Sequence, residues 1–224
     1  MKGVFYDHPE SNALIYLNDC DYIGDADQFV QWALYQYSFQ DADGMVKYVA
    51  CAQKAFKEAI NDSQTRKYAR MHLEHEAVNG DVIFELFSDI APITSANFLK
   101  LCNAEENGYA STEVHRIVPG MYVQAGRIRE CPVSEFADES FHVKHSEIGL
   151  LGMCKRSQLK HTNECQFYIT LGAPLNFLDN ENVVFGRVIQ GMHLIEQVEN
   201  LPTVNEKPVS GPVRIAECGT LTVE

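Results

Sequence analysis

From residue 68 to its end the chain is written in short runs of apolar, β-branched and aromatic residues, broken every few positions by glycine, proline, asparagine or aspartate. That punctuation leaves no room for long helices and predicts a mainly β fold. Residues 70–74 and 82–87 alternate around Asn79-Gly80, which predicts a hairpin turning at that dipeptide. Further strands are predicted at 116–118, 122–124, 150–153, 166–170, 183–188 and 214–217. Pro92 opens a helix at the position where a missing N–H costs nothing, and Phe98, Leu99, Leu101 and Cys102 supply its apolar face. A second helix is predicted over 192–199, after Gly191. Many short strands with two interspersed helices predict a closed barrel with helices plugging its ends.

Residues 1–67 read differently, as a small α/β segment distinct from the domain expected over 68–224. Residues 13–17 and 22–25 read as two extended pieces around Asn18-Asp19, followed by helices over about 29–37 and 45–60. Leu14-Ile15-Tyr16-Leu17-Asn18-Asp19 with Ile23-Gly24-Asp25-Ala26-Asp27 resembles the last third of a glutaredoxin. The C-x-x-C and the glutathione-holding half of that family are missing from the segment, so it is expected to pack or dock rather than to do redox chemistry.

Charge and cysteines narrow the function classes. With 31 acidic against 18 basic residues the formal charge is −13, which repels nucleic-acid backbones and anionic lipid and suits a basic protein partner. No apolar run approaches the length that spans a bilayer, and the first ten residues lack the apolar stretch of a signal peptide, so a cytoplasmic location is expected. Seven widely spaced cysteines are expected to be free thiols. His72-x-x-His75 on a strand would point to opposite faces, so neither a metal site nor a cofactor is expected. His115 is expected to be a satisfied structural histidine, and His145 and His161 to be loop residues.

Six motifs then stand in order. Gly80-Asp81-Val82-Ile83-Phe84-Glu85-Leu86-Phe87 leads to Pro92, Thr94, Asn97 and Phe98. Gly108-Tyr109 and His115-Arg116-Ile117-Val118-Pro119-Gly120 run on to Gln124, and Phe136-Ala137-Asp138-Glu139-Ser140-Phe141 to His145. Gly149 to Met153, Gln166-Phe167-Tyr168-Ile169-Thr170, and Leu178-Asp179 with Val183-Val184-Phe185-Gly186 complete the set. Together they resemble the cyclophilin-type peptidyl-prolyl cis–trans isomerases over about 155 residues. The resemblance implies a closed eight-stranded antiparallel β-barrel capped by two helices. It is nearest to the divergent subgroup called peptidyl-prolyl isomerase-like six, through the stretch Gly24-Asp25-Ala26-Asp27-Gln28-Phe29-Val30-Gln31-Trp32-Ala33, and through Leu201-Pro202-Thr203-Val204-Asn205-Glu206-Lys207-Pro208. Related cyclophilins occur in the radial spokes of cilia, which implies axoneme proteins as alternative partners and the cilium as an alternative location.

The resemblance also implies the chemistry. Arg116 would donate to the twisted X–Pro imide, and Gln124 would hold Arg116 and a substrate carbonyl. Met121, Tyr122, Cys154, Gln166, Tyr168, Phe177, Leu178 and Asn182 would line the groove that takes a proline-containing peptide or protein. Lys155 stands where the family usually has an asparagine, and a lone ammonium cannot offer the same paired amide contact. Tyr168 replaces a usual phenylalanine, so its hydroxyl needs a partner if buried. Phe177 replaces a tryptophan and Asn182 a histidine, which implies weak cyclosporin binding. Three readings follow: a slow isomerase, a binder of proline-containing peptides with little turnover, and a structural subunit.

Overall fold

The computed structural model describes residues 15–17, 21–24, 66–155 and 159–221, the first two stretches as backbone alone. Backbone contacts divide the chain into two units, Met1–Ala55 and Phe56–Glu224. In the first unit, β1 (Ile15–Leu17) and β2 (Asp21–Gly24) pair antiparallel with Tyr16 opposite Tyr22. The helices expected at 29–37 and 45–60 lie outside the described residues. Among the described residues no helix is long and apolar enough to cross a membrane.

The second unit is built on ten of its strands. β3 (Lys67–His75) and β4 (Val78–Leu86) form a hairpin whose two-residue turn is Glu76-Ala77, not the predicted Asn79-Gly80. Gly80 lies inside β4 opposite Leu73, and a Cβ there would come within 2.9 Å of Leu194. The glycine therefore serves helix packing rather than the turn. β5 (Arg116–Val118), β6 (Tyr122–Ala125), β7 (Leu150–Lys155), β8 (Asn163–Thr170), β9 (Val184–Gln190) and β12 (Arg214–Thr220) complete an eight-stranded antiparallel sheet in the order β12-β3-β4-β9-β7-β8-β6-β5. β10 (Thr203–Val204) and β11 (Lys207–Pro208) make a small ladder of their own that the sequence did not announce.

Among the described residues the mainly β architecture with two α-helices agrees with expectation, but the barrel is not fully closed. Its end strands β5 and β12 share no ladder. A single bridge between Glu113 and Arg214 joins the two sides, with bonds from the Ser111 and Val114 N–H groups to the Ile215 and Val213 carbonyls at 2.7 and 2.9 Å. The physical reason is local. β5 has three residues, and its free edge is taken by the β10–β11 turn, whose Glu206 carbonyl accepts from the Ile117 N–H at 2.7 Å.

Helix α1 (Pro92–Cys102) covers one side of the curled sheet. Its Phe98 meets the rings of Phe84, Tyr109, Phe167 and Phe185 at centroid distances of 5.2–6.0 Å, mostly edge-on, the arrangement the ring quadrupole favours. Ala91 before the helix has no capping side chain. Glu139 substitutes from a distant loop, accepting from the Ile93 and Thr94 N–H groups at 2.9 Å and from the Thr94 hydroxyl. That places a carboxylate on the positive end of the helix. Helix α2 (Met192–Glu199) packs Leu194, Ile195 and Val198 into the core.

Candidate active site

Strand alternation selects which side chains reach the outer face. Ile117, Val123, Ala125 and Phe167 point into the core, so Arg116, Tyr122, Gln124, Gln166 and Tyr168 share the opposite face. Register then aligns them. Arg116 pairs with Gln124, Gln124 with Tyr168, and Tyr168 with Gly152, one lateral row across β5, β6, β8 and β7. Beside this row lies a cleft of about 400 Å³ lined by Arg116, Tyr122, Gln124, Cys154, Lys155, Tyr168, Phe177, Leu178, Glu181 and Asn182. Of the residues expected at the site, Met121 and Gln166 are not in its lining. Gln166 stands next to it on the same face, its side-chain carbonyl accepting from Gln124 Nε2 at 3.4 Å. Met121 sits in the turn before β6, closed by its N–H to the Val118 carbonyl.

Arg116 is the centre of a clamp the sequence did not foretell. Its Nε and Nη2 donate to the two carboxylate oxygens of Glu206 at 2.5 and 3.2 Å, and Nη1 donates to the Tyr122 hydroxyl at 3.0 Å. A bidentate carboxylate on the planar fork is the geometry that holds guanidinium best. The Glu206 bond raises the Arg116 pKa further, and Arg116 in turn holds the Glu206 carboxyl below its usual range. Gln124, expected to hold Arg116, is bonded to Gln166 instead.

Tyr168 finds the partner its burial requires. The ring is 3% exposed, and its hydroxyl lies 2.6 Å from Nε2 of His145, itself 1% exposed. His145 Nδ1 lies 2.8 Å from Asp179 Oδ1, which also accepts the His145 backbone N–H. An ionised Asp179 fixes the proton on Nδ1, so Nε2 is the acceptor and Tyr168 the donor. Burial keeps the His145 pKa below its ordinary value, against the pull of Asp179. His145 lies in a loop, as expected, but its ring is the middle of a buried Tyr–His–Asp chain. Room for the hydroxyl comes from Gly152, since a Cβ there would overlap the Tyr168 ring.

Lys155 lines the wall with its stem only. Its ammonium bonds Asp138 at 3.0 Å, and the two side chains are 5% and 1% exposed. Burial alone would raise the Asp138 pKa, but Asn163, Lys155 and the His161 N–H, which all donate to it, hold it low. The charge expected in the peptide groove is thus spent inside the protein. Asn182 ties its loop to β7 through the Met153 carbonyl at 2.8 Å. Phe177, on a 3-10 turn over Asn176–Leu178, is 57% exposed and forms the rim, with Glu181 nearby. Burial drives the Cys154 thiol pKa far up, so it acts as an apolar wall. His72 pairs with Asp81 at 2.7 Å and His75 with Ser210 at 3.1 Å. His115, expected to be satisfied, has both ring nitrogens shielded from solvent, with the Glu113 backbone and the Gln166 side chain beside them.

Residues 69–220 match the family model described as "Cyclophilin type peptidyl-prolyl cis-trans isomerase/CLD". The chain is 38% identical over 157 residues to "Peptidyl-prolyl cis-trans isomerase 11" of Caenorhabditis elegans, covering 63% of this chain and 84% of that protein. It is 40% identical over 152 residues to "Peptidyl-prolyl cis-trans isomerase H" of Mycosarcoma maydis, 61% of this chain and 95% of the relative. It is 31% identical over 218 residues to the human "Probable inactive peptidyl-prolyl cis-trans isomerase-like 6", covering 89% of this chain and 68% of that one.

Proposed function

Since the chain belongs to the cyclophilin-type peptidyl-prolyl cis–trans isomerases, we propose that its cleft seats the proline of an X–Pro segment and speeds rotation of the preceding bond at a reduced rate. The bond resists rotation by about 18–20 kcal/mol because twisting it removes amide resonance. Twisting also localises a lone pair on the proline nitrogen. A donor that meets that lone pair only in the twisted state lowers the barrier through differential binding. Arg116 is the donor, Gln124 beside it orients the substrate backbone, and Leu178, Tyr122 and Tyr168 make the slot for the ring. The observation that carries this reading is the single lateral row from Arg116 to Tyr168 along one open cleft.

Reduced turnover follows from the clamp. Every nitrogen of the Arg116 fork already donates once, to Glu206 or Tyr122. The facing carboxylate also offsets the positive charge that the twisted state needs. A protease-coupled isomerisation assay on a short X–Pro peptide tests the assignment. Arg116→Ala is expected to abolish the activity and Glu206→Gln to raise it several-fold. Turnover untouched by Arg116→Ala would remove that residue from the mechanism.

A second reading keeps the cleft as a peptide-holding surface without turnover, in a structural subunit of a ciliary axoneme. The Glu206 clamp and the name of the human relative, "Probable inactive peptidyl-prolyl cis-trans isomerase-like 6", favour the first half of that reading, and the axonemal half rests on the sequence resemblance alone. A tagged copy that stays out of axonemes in a flagellated cell would end it.

A further inference from the structure

A concavity larger than this cleft lies elsewhere, about 660 Å³ at the seam where the sheet fails to close. One side is the stretch from Asn107 to His115, and the other is the chain from Lys207 to Pro212 running into β12. Arg127, Arg129 and Lys207 line it, all three exposed. None of their side chains has a hydrogen bond or ion pair among the described residues. The one acid in the lining, Glu113, faces Arg214 at 3.7 Å. Beneath them the ring of His115 is kept neutral, because burial and then the nearby Arg127 push its pKa down to about 4. In a chain of net charge −13, three uncompensated cations around one hollow are a concentration of the minority sign.

The remaining lining is mixed, with Asn107, Ser111 and Thr112 on one side and an apolar flank on the other. Pro208, Val209 and Pro212 form one flank, with Val209 61% exposed. Proline lacks an N–H and the Val209 N–H is taken by the Pro202 carbonyl, so this flank offers an incoming chain apolar contact rather than backbone donors. A hollow that combines three cations with an apolar flank suits an extended acidic chain, which brings both carboxylates and apolar surface along its length, better than a compact ion. We propose that this seam is a second binding groove, distinct from the prolyl cleft, that takes an acidic segment of a partner polypeptide.

Fluorescence anisotropy with a fluorescein-labelled octapeptide of alternating glutamate and alanine tests the assignment, with the lysine–alanine counterpart as control. Binding of the acidic peptide is expected to weaken steeply between 50 and 300 mM salt, as cation-driven association does. It is expected to fall at least 10-fold in the double variant Arg127→Glu, Arg129→Glu and in Lys207→Glu. In amide NMR spectra of the unaltered chain, shifts should gather at Ser111, Thr112 and Gly211. Equal binding of the basic peptide, affinity within 2-fold in both variants, or shifts gathered at Arg116, Gln124 and Tyr168 would each overturn the proposal. Full displacement by inorganic phosphate below 1 mM would overturn the peptide assignment in favour of a phosphate site. If circular dichroism shows the variants unfolded, the shift map on the unaltered chain decides by itself.

Discussion

Replacing Tyr168 by phenylalanine removes one oxygen and separates stability from activity. The hydroxyl is the donor to His145 Nε2 at 2.6 Å, in a ring 1% exposed, so no bulk water takes its place. An acceptor left buried and unsatisfied costs about 1–3 kcal/mol, and the short neutral bond here sits near the middle at about 2 kcal/mol. For a chain of this size each kcal/mol moves Tm by about 2–4 °C, so a drop of roughly 4–8 °C is expected in thermal denaturation followed by circular dichroism. The same change makes the floor of the cleft apolar, and kcat/KM for an X–Pro peptide is expected to rise. In a His145→Gln background the Tyr168→Phe penalty should shrink, because the two groups are coupled. A Tm within about 1 °C of the parent, or an equal penalty in both backgrounds, would show that the hydroxyl is not bound to the histidine.

Lys155→Ala leaves Asp138 buried without its cation. Because Asn163 and the His161 N–H still donate to that carboxylate, the loss is expected at the lower end of the range for broken buried pairs, about 3 kcal/mol, measured by urea unfolding. Gly152→Ala places a methyl group in the Tyr168 ring and is expected to cost about 1–3 kcal/mol, with wild-type Tm refuting the packing described. Stability should decline as pH falls from about 6.5 toward 4. The His115 pKa is about 4 when folded and near 6.5 when unfolded, so the unfolded chain takes the proton first. His145, also lowered, acts in the same direction. His115→Gln should flatten part of that slope, and an unchanged slope in urea titrations at pH 5–6.5 would refute it. Loss from Asp138 and Asp179, held below the usual carboxylate range, comes only under about pH 4.

Local patterns carried much of this structure. Strand Arg116–Val118 and helix Met192–Glu199 stand at their expected bounds, because alternation and a glycine-led start are written in consecutive residues. The hairpin turn was misplaced because Glu76-Ala77 has no turn signature while Asn79-Gly80 has one, used here for close approach of Leu194. The need of Tyr168 for a partner was legible from its hydroxyl. That His145 answers it was not, since residues 23 apart in sequence meet only once β8 folds beside the loop. Glu206, 90 residues from Arg116, left no local signal at all. The ion pair of Lys155 is illegible for the same reason, because its partner Asp138 belongs to a motif 17 residues away.

The two-residue turn between β10 and β11 faces two ways. Asn205 and Glu206 both have positive φ, at 51° and 64°, which seats the next residue, Lys207, on the seam while Glu206 reaches the guanidinium. Deleting one residue there would bring an ammonium to the place of the carboxylate. The clamp would become a repulsion, and the hollow on the other side would lose one of its three cations in the same step. Length, in this short connection, is a tighter constraint than composition.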